Sequence, residues 1–236
     1  MEQLTRKERA ERVRETWLFR GRLKTGVLLI AALLVVLFMM WIVFIYTKSR
    51  ADQRVFEAIG PHITPIRTRI MRIITYLGNP EFLVPFNLAL LVLFAILKKK
   101  WMVIRIAVVA LGGLGIKLLM KHLFQRLRPL DPVIEGGVAG YSFPSGHALM
   151  AVVVYGFLVW WAAISIHNKW KQGIAIALLI LLIIGVSFSR IYLRVHYTTD
   201  ILAGICIGFC WLMFSLWIVD KFEVRSLHEG AHMPHR

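Results

Sequence analysis

GVLLIAALLVVLFMMWIVFIY, residues 26–46, carries no charge from end to end. A helix needs about 20 such residues to cross the hydrocarbon core of a bilayer, so this run alone moves the chain into the membrane class. Eight basic residues precede it: Arg6, Lys7, Arg9, Arg12, Arg14, Arg20, Arg22 and Lys24. That flank resembles a secretory leader. The run is too long for the apolar part of one, however, and no A-x-A-like cleavage site follows, so it reads as a retained anchor. Cytoplasmic loops of membrane proteins gather Lys and Arg, which makes residues 1–25 a cytoplasmic basic arm.

Working outward, further apolar runs fall at 81–97, 101–120, 147–166, 173–189 and 199–219, giving about six transmembrane helices. The composition agrees: 58% of the residues are hydrophobic and 18% charged, more apolar surface than one soluble core of 236 residues hides. A net charge of +16 elsewhere suggests nucleic acid. Here the basic residues sit in short clusters between apolar runs, a pattern of topology rather than of a nucleic-acid face. With the N-terminus inside, Lys98–Lys100, Lys169 with Lys171, and Lys221 with Arg225 share the cytoplasmic side. The loop after the first span is less clean, with Lys48, Arg50, Arg54, Arg67, Arg69 and Arg72.

Between Pro65 and Leu77, Ile66, Ile70, Ile73, Ile74 and Leu77 recur at helical spacing among Arg67, Arg69 and Arg72. This predicts an extracytoplasmic interfacial helix whose arginines lie among lipid phosphates without a catalytic role. Cys206 and Cys210, four apart on one helix, read as small buried hydrophobes rather than a disulfide. The fold expected is an all-α integral membrane bundle. Its single domain spans 26–220, and a cytoplasmic tail, 221–236, holds His228, His232 and His235 and is expected to be disordered.

Three polar clusters interrupt this apolar pattern. In Ser189–Asp200, SRIYLRVHYTTD, His196 and Asp200 share a face if the last span begins helically there, so the carboxylate can reach the imidazole. A carboxylate that accepts one ring proton fixes the tautomer and frees the other nitrogen for attack. The same pair, alone, is also an ordinary helix cap. Arg190 can aim its forked donors from a loop at a phosphate that His196 attacks, whereas Arg194 suits interfacial snorkelling equally well and is left out of the site.

In Pro144-Ser145-Gly146-His147 a span starts at once after a glycine-rich loop, so the amides of Ser145 and Gly146 lie at a helix N-terminus, where anions bind. His147 can protonate a departing alkoxide, or serve only as a polar cap. Lys121 and Arg128 are seven apart, two turns of one helix face if the helix runs to Pro129, and can converge on one anion or simply mark the membrane boundary. Asp131 is a candidate partner for Arg128. All three clusters fall on the extracytoplasmic side of the expected topology.

KHLFQRLRP, PSGH and SRIYLRVHYTTD together resemble the three-part signature of the type 2 phosphatidic acid phosphatase family, in order and in placement. The motifs span Lys121 to Asp200, and the six-span layout extends the resemblance to about 26–220. The resemblance implies that Lys121, Arg128 and Arg190 bind phosphate, with Ser145 and Gly146 donating further hydrogen bonds. It also implies His147 as the acid, His196 as the nucleophile, Asp200 as its orienting partner, and hydrolysis of the phosphoenzyme by water without a metal ion or other cofactor.

The expected activity is hydrolysis of a membrane lipid phosphate at the outer face of the bacterial plasma membrane. Phosphatidylglycerophosphate, phosphatidate and undecaprenyl diphosphate are the candidates, and the last is an alternative main role. A non-catalytic anionic-lipid binder or transporter would use the same cations, but leaves the His–Asp pair and His147 unexplained. Vanadate-dependent haloperoxidases resemble the signature but are soluble. No G-x-x-x-x-G-K-[ST] loop points to ATP.

Overall fold

The computed structural model describes residues 50–134 and 139–231, side chains through 227, and six positions between 30 and 41. Those six, Ile30, Leu33, Leu34, Leu37, Phe38 and Trp41, are helical and exposed, at the spacing of one helix face. The remainder of the first expected span, the basic arm, and His232 and His235 lie outside the described residues.

Helix α1, Arg50–Ile59, leads through a 3₁₀ turn, Gly60–His62, to α2, Pro65–Tyr76, and α3, Pro80–Ile96. Then come α4, Lys100–Phe124, α5, Gly146–Ser165, α6, Lys169–Tyr192, and α7, Thr198–Ala231. The starts follow local chemistry. Pro65 and Pro80 take first-turn positions where a missing N–H is harmless. Ser145 and Asn168 cap α5 and α6 by accepting from the amides of Ala148 and Lys171.

Among the described residues, five stretches are long and apolar enough to cross a bilayer: Pro65–Ile96, which joins α2 to α3, and the helices beginning at Lys100, Gly146, Lys169 and Thr198. The protein is a multi-pass, all-helical membrane protein, and each of the five later spans read from the sequence falls on one of these stretches.

Helix α5 is the axis of the bundle, packed on α4, α6 and α7. Its Leu149, Val153 and Phe157 join Phe94, Ile106, Ala203, Ile207 and Leu216 in one buried core. In lipid, apolar contact alone drives little association, and close backbone approach becomes the main source of helix–helix attraction. Gly204 and Gly208 of α7 supply it, since a Cβ at either would come within 2.8 Å of Ser145 O or Leu149 O. This approach sets the first turns of α5 and α7 side by side.

Two expectations are corrected here. Helix α4 ends at Phe124, where Gln125 turns left-handed (φ 43°) and its N–H bonds back to Lys121 O. Arg128 therefore lies in the following loop and does not share a helix face with Lys121. The C-terminal segment, expected to be disordered, is helical through Ala231. It is held there because Asp220 and Glu223 of α7 both pair with Arg105 of α4, all three buried. The helix passes the expected boundary at 220 without a break.

Candidate active site

The first turns of α5 and α7 meet because Ser145 N–H donates to Asp200 O at 3.0 Å. The same bond occupies the amide that the sequence suggested for anion binding. Ala148 N–H is taken by Ser145 Oγ and Leu149 N–H by Ser145 O. Gly146 and His147 thus hold the first-turn amides left at the positive end of α5.

Asp200 sits at the third position of α7, with Tyr197 as cap, and Tyr197 N–H donates to its Oδ2 at 3.0 Å. The helix-cap reading and the catalytic reading of this aspartate therefore hold together. His196 lies in the loop before α7 rather than on its face, with Nδ1 3.5 Å from the same Oδ2. Ser142 Oγ donates to that oxygen and stands 3.4 Å from the imidazole Nδ1.

On the other side of the ring, Arg128 Nη1 is 3.2 Å from His196 Nε2. A guanidinium only donates, so Nε2 is the acceptor and the ring proton resides on Nδ1, facing Asp200 and Ser142. Burial pushes the His196 imidazole down to about 4, against Asp200, whose hydrogen bond and charge raise it, and with Arg128 and Arg190, which lower it further. At neutral pH the residue is uncharged, and among the described residues its Nε2 lone pair is covered by Arg128 alone.

Arg128 is held by carbonyls, from Nε to Gly140 O at 2.9 Å and from Nη1 to Val195 O at 2.8 Å. Burial lowers its pKa and the Asp200 charge opposes that. No ion pair with Asp131, which is exposed, is found among the described residues. Lys121 Nζ donates to Tyr141 O at 2.6 Å. Arg190, in the last turn of α6 rather than in a loop, is buried and donates from Nη1 to Thr75 Oγ1 of α2 at 3.0 Å. The interfacial segment therefore reaches the site through Thr75, while Arg67, Arg69 and Arg72 stay exposed. Arg194 turns away, donating to Phe56 O.

One cavity of about 470 Å³ gathers Lys121, Arg128, Gly146, His147, Arg190 and His196 at its polar end. Ser145 and Asp200 stand behind it, fully buried. From there the space continues between α3 and α4 along Leu83, Leu91, Ile106 and Leu114. Lys117, one turn before Lys121, also borders it; the sequence reading passed over this residue although its helical spacing pointed to it. Ser142, Arg126 and Asp52 were also missed. Among the described residues no group of three or more His, Cys, Asp or Glu is placed to share a metal ion.

Residues 101–223 match the PAP2 superfamily. Phosphatidylglycerophosphatase B of Bacillus subtilis is 29% identical over 70% of this chain and 81% of its own length. A putative undecaprenyl-diphosphatase of Escherichia coli is 31% identical over 53% of this chain and 61% of its own. The crystal structure of a transmembrane PAP2-type phosphatidylglycerolphosphate phosphatase from Bacillus subtilis superimposes with a TM-score of 0.68 at 23% identity, over 87% of this chain and 98% of that one. The matched region contains every residue named at the cavity's polar end, whereas Asp52 precedes it.

Proposed function

Since this chain belongs to the PAP2 superfamily and is a metal-independent lipid phosphatase of that type, we propose that it removes the terminal phosphate of a membrane lipid through a phosphohistidine at His196. The observation that carries this reading is a buried imidazole set between Asp200 on its Nδ1 side and Arg128 on its Nε2 side, at the edge of a cation-rich cavity continuous with an apolar groove.

The phosphate enters the polar end, where Lys121, Arg128 and Arg190 and the amides of Gly146 and His147 compensate its charge. Arg128 moves its donors from the imidazole to phosphate oxygens and uncovers the lone pair. His196 Nε2 then forms a bond to phosphorus as the bond from phosphorus to the lipid-side oxygen breaks, and His147, which takes up a proton as the anionic phosphate settles beside it, gives that oxygen the proton. The positive charge arising on His196 is balanced by the Asp200 carboxylate, which accepts a hydrogen bond from Nδ1–H and stays ionised. A water, deprotonated by His147, next attacks phosphorus, the P–N bond breaks, and inorganic phosphate leaves.

The apolar arm between α3 and α4 suits acyl or prenyl chains arriving laterally from the bilayer. The substrate class we propose is phosphatidylglycerophosphate, phosphatidate or undecaprenyl diphosphate; the names of the relatives above favour the first and the last. The topology we propose has residues 1–25 and 221–236 in the cytoplasm and the domain at 26–220 in a bacterial plasma membrane, with the site facing outward.

The test is phosphate release by purified protein in detergent with excess chelator, on those three lipids, beside His196→Ala. Release that survives chelation and vanishes in the variant supports the reading, and the ranking identifies the substrate. Equal release by the variant overturns it.

A further inference from the structure

Arg126 borders no part of the cavity, yet it is 4% exposed and lies between two buried carboxylates. Its Nη1 donates to Asp200 Oδ1 at 2.6 Å and to Thr199 Oγ1 at 2.7 Å, and its Nη2 donates to Asp52 Oδ2 at 3.2 Å. Asp52, on α1, accepts in addition from Thr199 N–H at 3.0 Å and from the Thr199 hydroxyl at 2.9 Å. The guanidinium carbon lies 4.1 Å from the Tyr197 ring centre. The oxygens of Asp200 are thereby divided: Oδ1 faces Arg126, and Oδ2 faces Ser142, Tyr197 N–H and His196 Nδ1.

We propose that Arg126 is a positioning residue for the reaction, fixing the Asp200 carboxylate so that Oδ2 addresses His196, and that Asp52 holds Arg126 in turn. Helix α1, which precedes the family-matched region, then completes the site. The inference rests on the phosphohistidine reading. Without the clamp the carboxylate keeps only its Oδ2 contacts with Ser142 and Tyr197 N–H, Oδ1 loses its charged donor, and the partner that sets the tautomer of His196 is less firmly placed. What separates this cluster from a purely structural ion pair is the contact of Asp200 Oδ2 with His196 Nδ1, at 3.5 Å, at the edge of the cavity. Two carboxylates, Asp52 and Asp200, against the one guanidinium of Arg126 leave an excess negative charge on the buried side of His196.

That excess charge gives the proposal a signature. The groups facing the pair are Arg126, Asp52, Tyr197 and Ser142 on the buried side and Lys121, Arg128, Arg190 and His147 on the cavity side. Taking a cation from the buried side favours proton uptake by His196–Asp200; taking an anion from it does the opposite. The experiment is the pH dependence of kcat/KM for Arg126→Gln, Asp52→Asn and Arg126→Lys in detergent, on whichever of phosphatidylglycerophosphate, phosphatidate and undecaprenyl diphosphate the wild type turns over fastest, with His196→Ala as control.

Arg126→Gln is expected to lower kcat about 10- to 100-fold, as loss of a supporting partner does, and to move the acid limb to higher pH. Asp52→Asn is expected to move the limb to lower pH, and Arg126→Lys to keep the limb in place while kcat falls. Limbs that stay at the wild-type position in both charge-removing variants, with only a lowered Tm, overturn the proposal. If Arg126→Gln does not fold, the Asp52→Asn shift decides alone. An inactive His196→Ala leaves the phosphohistidine reading standing whatever the limbs do, and an active one defeats that reading first.

Discussion

Two buried arginines, Arg105 near the start of α4 and Arg126 just beyond its end at Phe124, are separated by most of that helix, roughly 28 Å at 1.5 Å of rise per residue. Each pairs with two carboxylates and covers an aromatic ring: Arg105 with Asp220, Glu223 and Trp160, Arg126 with Asp200, Asp52 and Tyr197. The chemistry of the two clusters is the same, but their neighbours differ. Arg105 and its partners do not border the cavity. Behind Arg126, Asp200 touches an imidazole whose other nitrogen opens on the cation-lined cavity. An ion cluster is thus a clasp where it meets only packed side chains, and part of a reaction site where it meets a lone pair beside open volume.

Substitutions can tell the two clusters apart. The largest effect belongs to His196→Ala, for which phosphate release should fall by about four orders of magnitude or more, as when a nucleophile is removed; residual turnover within about tenfold would place the chemistry elsewhere. Next is Arg105→Leu, which strands Asp220 and Glu223. Breaking a buried pair costs about 3–5 kcal/mol, so Tm in detergent should fall by roughly 10 °C while kcat per folded molecule stays within about twofold. A kcat loss with unchanged Tm would make the two clusters alike after all.

Arg190→Ala should lower kcat by about 10²- to 10³-fold with little change in Tm, the loss typical of one preorganised donor to developing charge. A change confined to Tm would make Arg190 a second clasp.

The smallest effect is the pH dependence of stability contributed by His196. Its folded pKa, about 4, lies below the ordinary 6.5, so the unfolded chain binds the proton first. Its contribution is complete above 6.5 and is lost as the pH falls through 4. Tm should decline over that window in the wild type and less steeply in His196→Leu.

Much of the site was legible because each motif is a polar interruption of an apolar run, and such contrasts survive without any structure. His147, Arg190, His196, Lys121, Arg128 and Gly146 border one cavity although Lys121 and His196 are 75 residues apart in the chain. The end of α4 was misread because no glycine marks it. Gln125 adopts the left-handed conformation that usually advertises glycine, and Pro129, the visible breaker, lies four residues further on.

Asp52 and Arg126 left no signal at all. Asp52 sits in a basic loop and Arg126 between two motif cations, and their meeting depends on α1 docking beside α7. The order of the C-terminal segment escaped for the same reason, since the partner of Glu223 is 118 residues away at Arg105.

Everything in the proposed mechanism turns on a bond between phosphorus and His196 Nε2. Its most direct test is a rapid quench into alkali, where phosphohistidine persists, of the purified protein with the phosphate-labelled lipid it turns over fastest, followed by mass spectrometry of the peptide containing residue 196. Label on His196 at up to one equivalent, absent in His196→Ala and chased by water in the wild type, is the result expected. Turnover in a single cycle with no label on His196, or label on His147, would refute the mechanism.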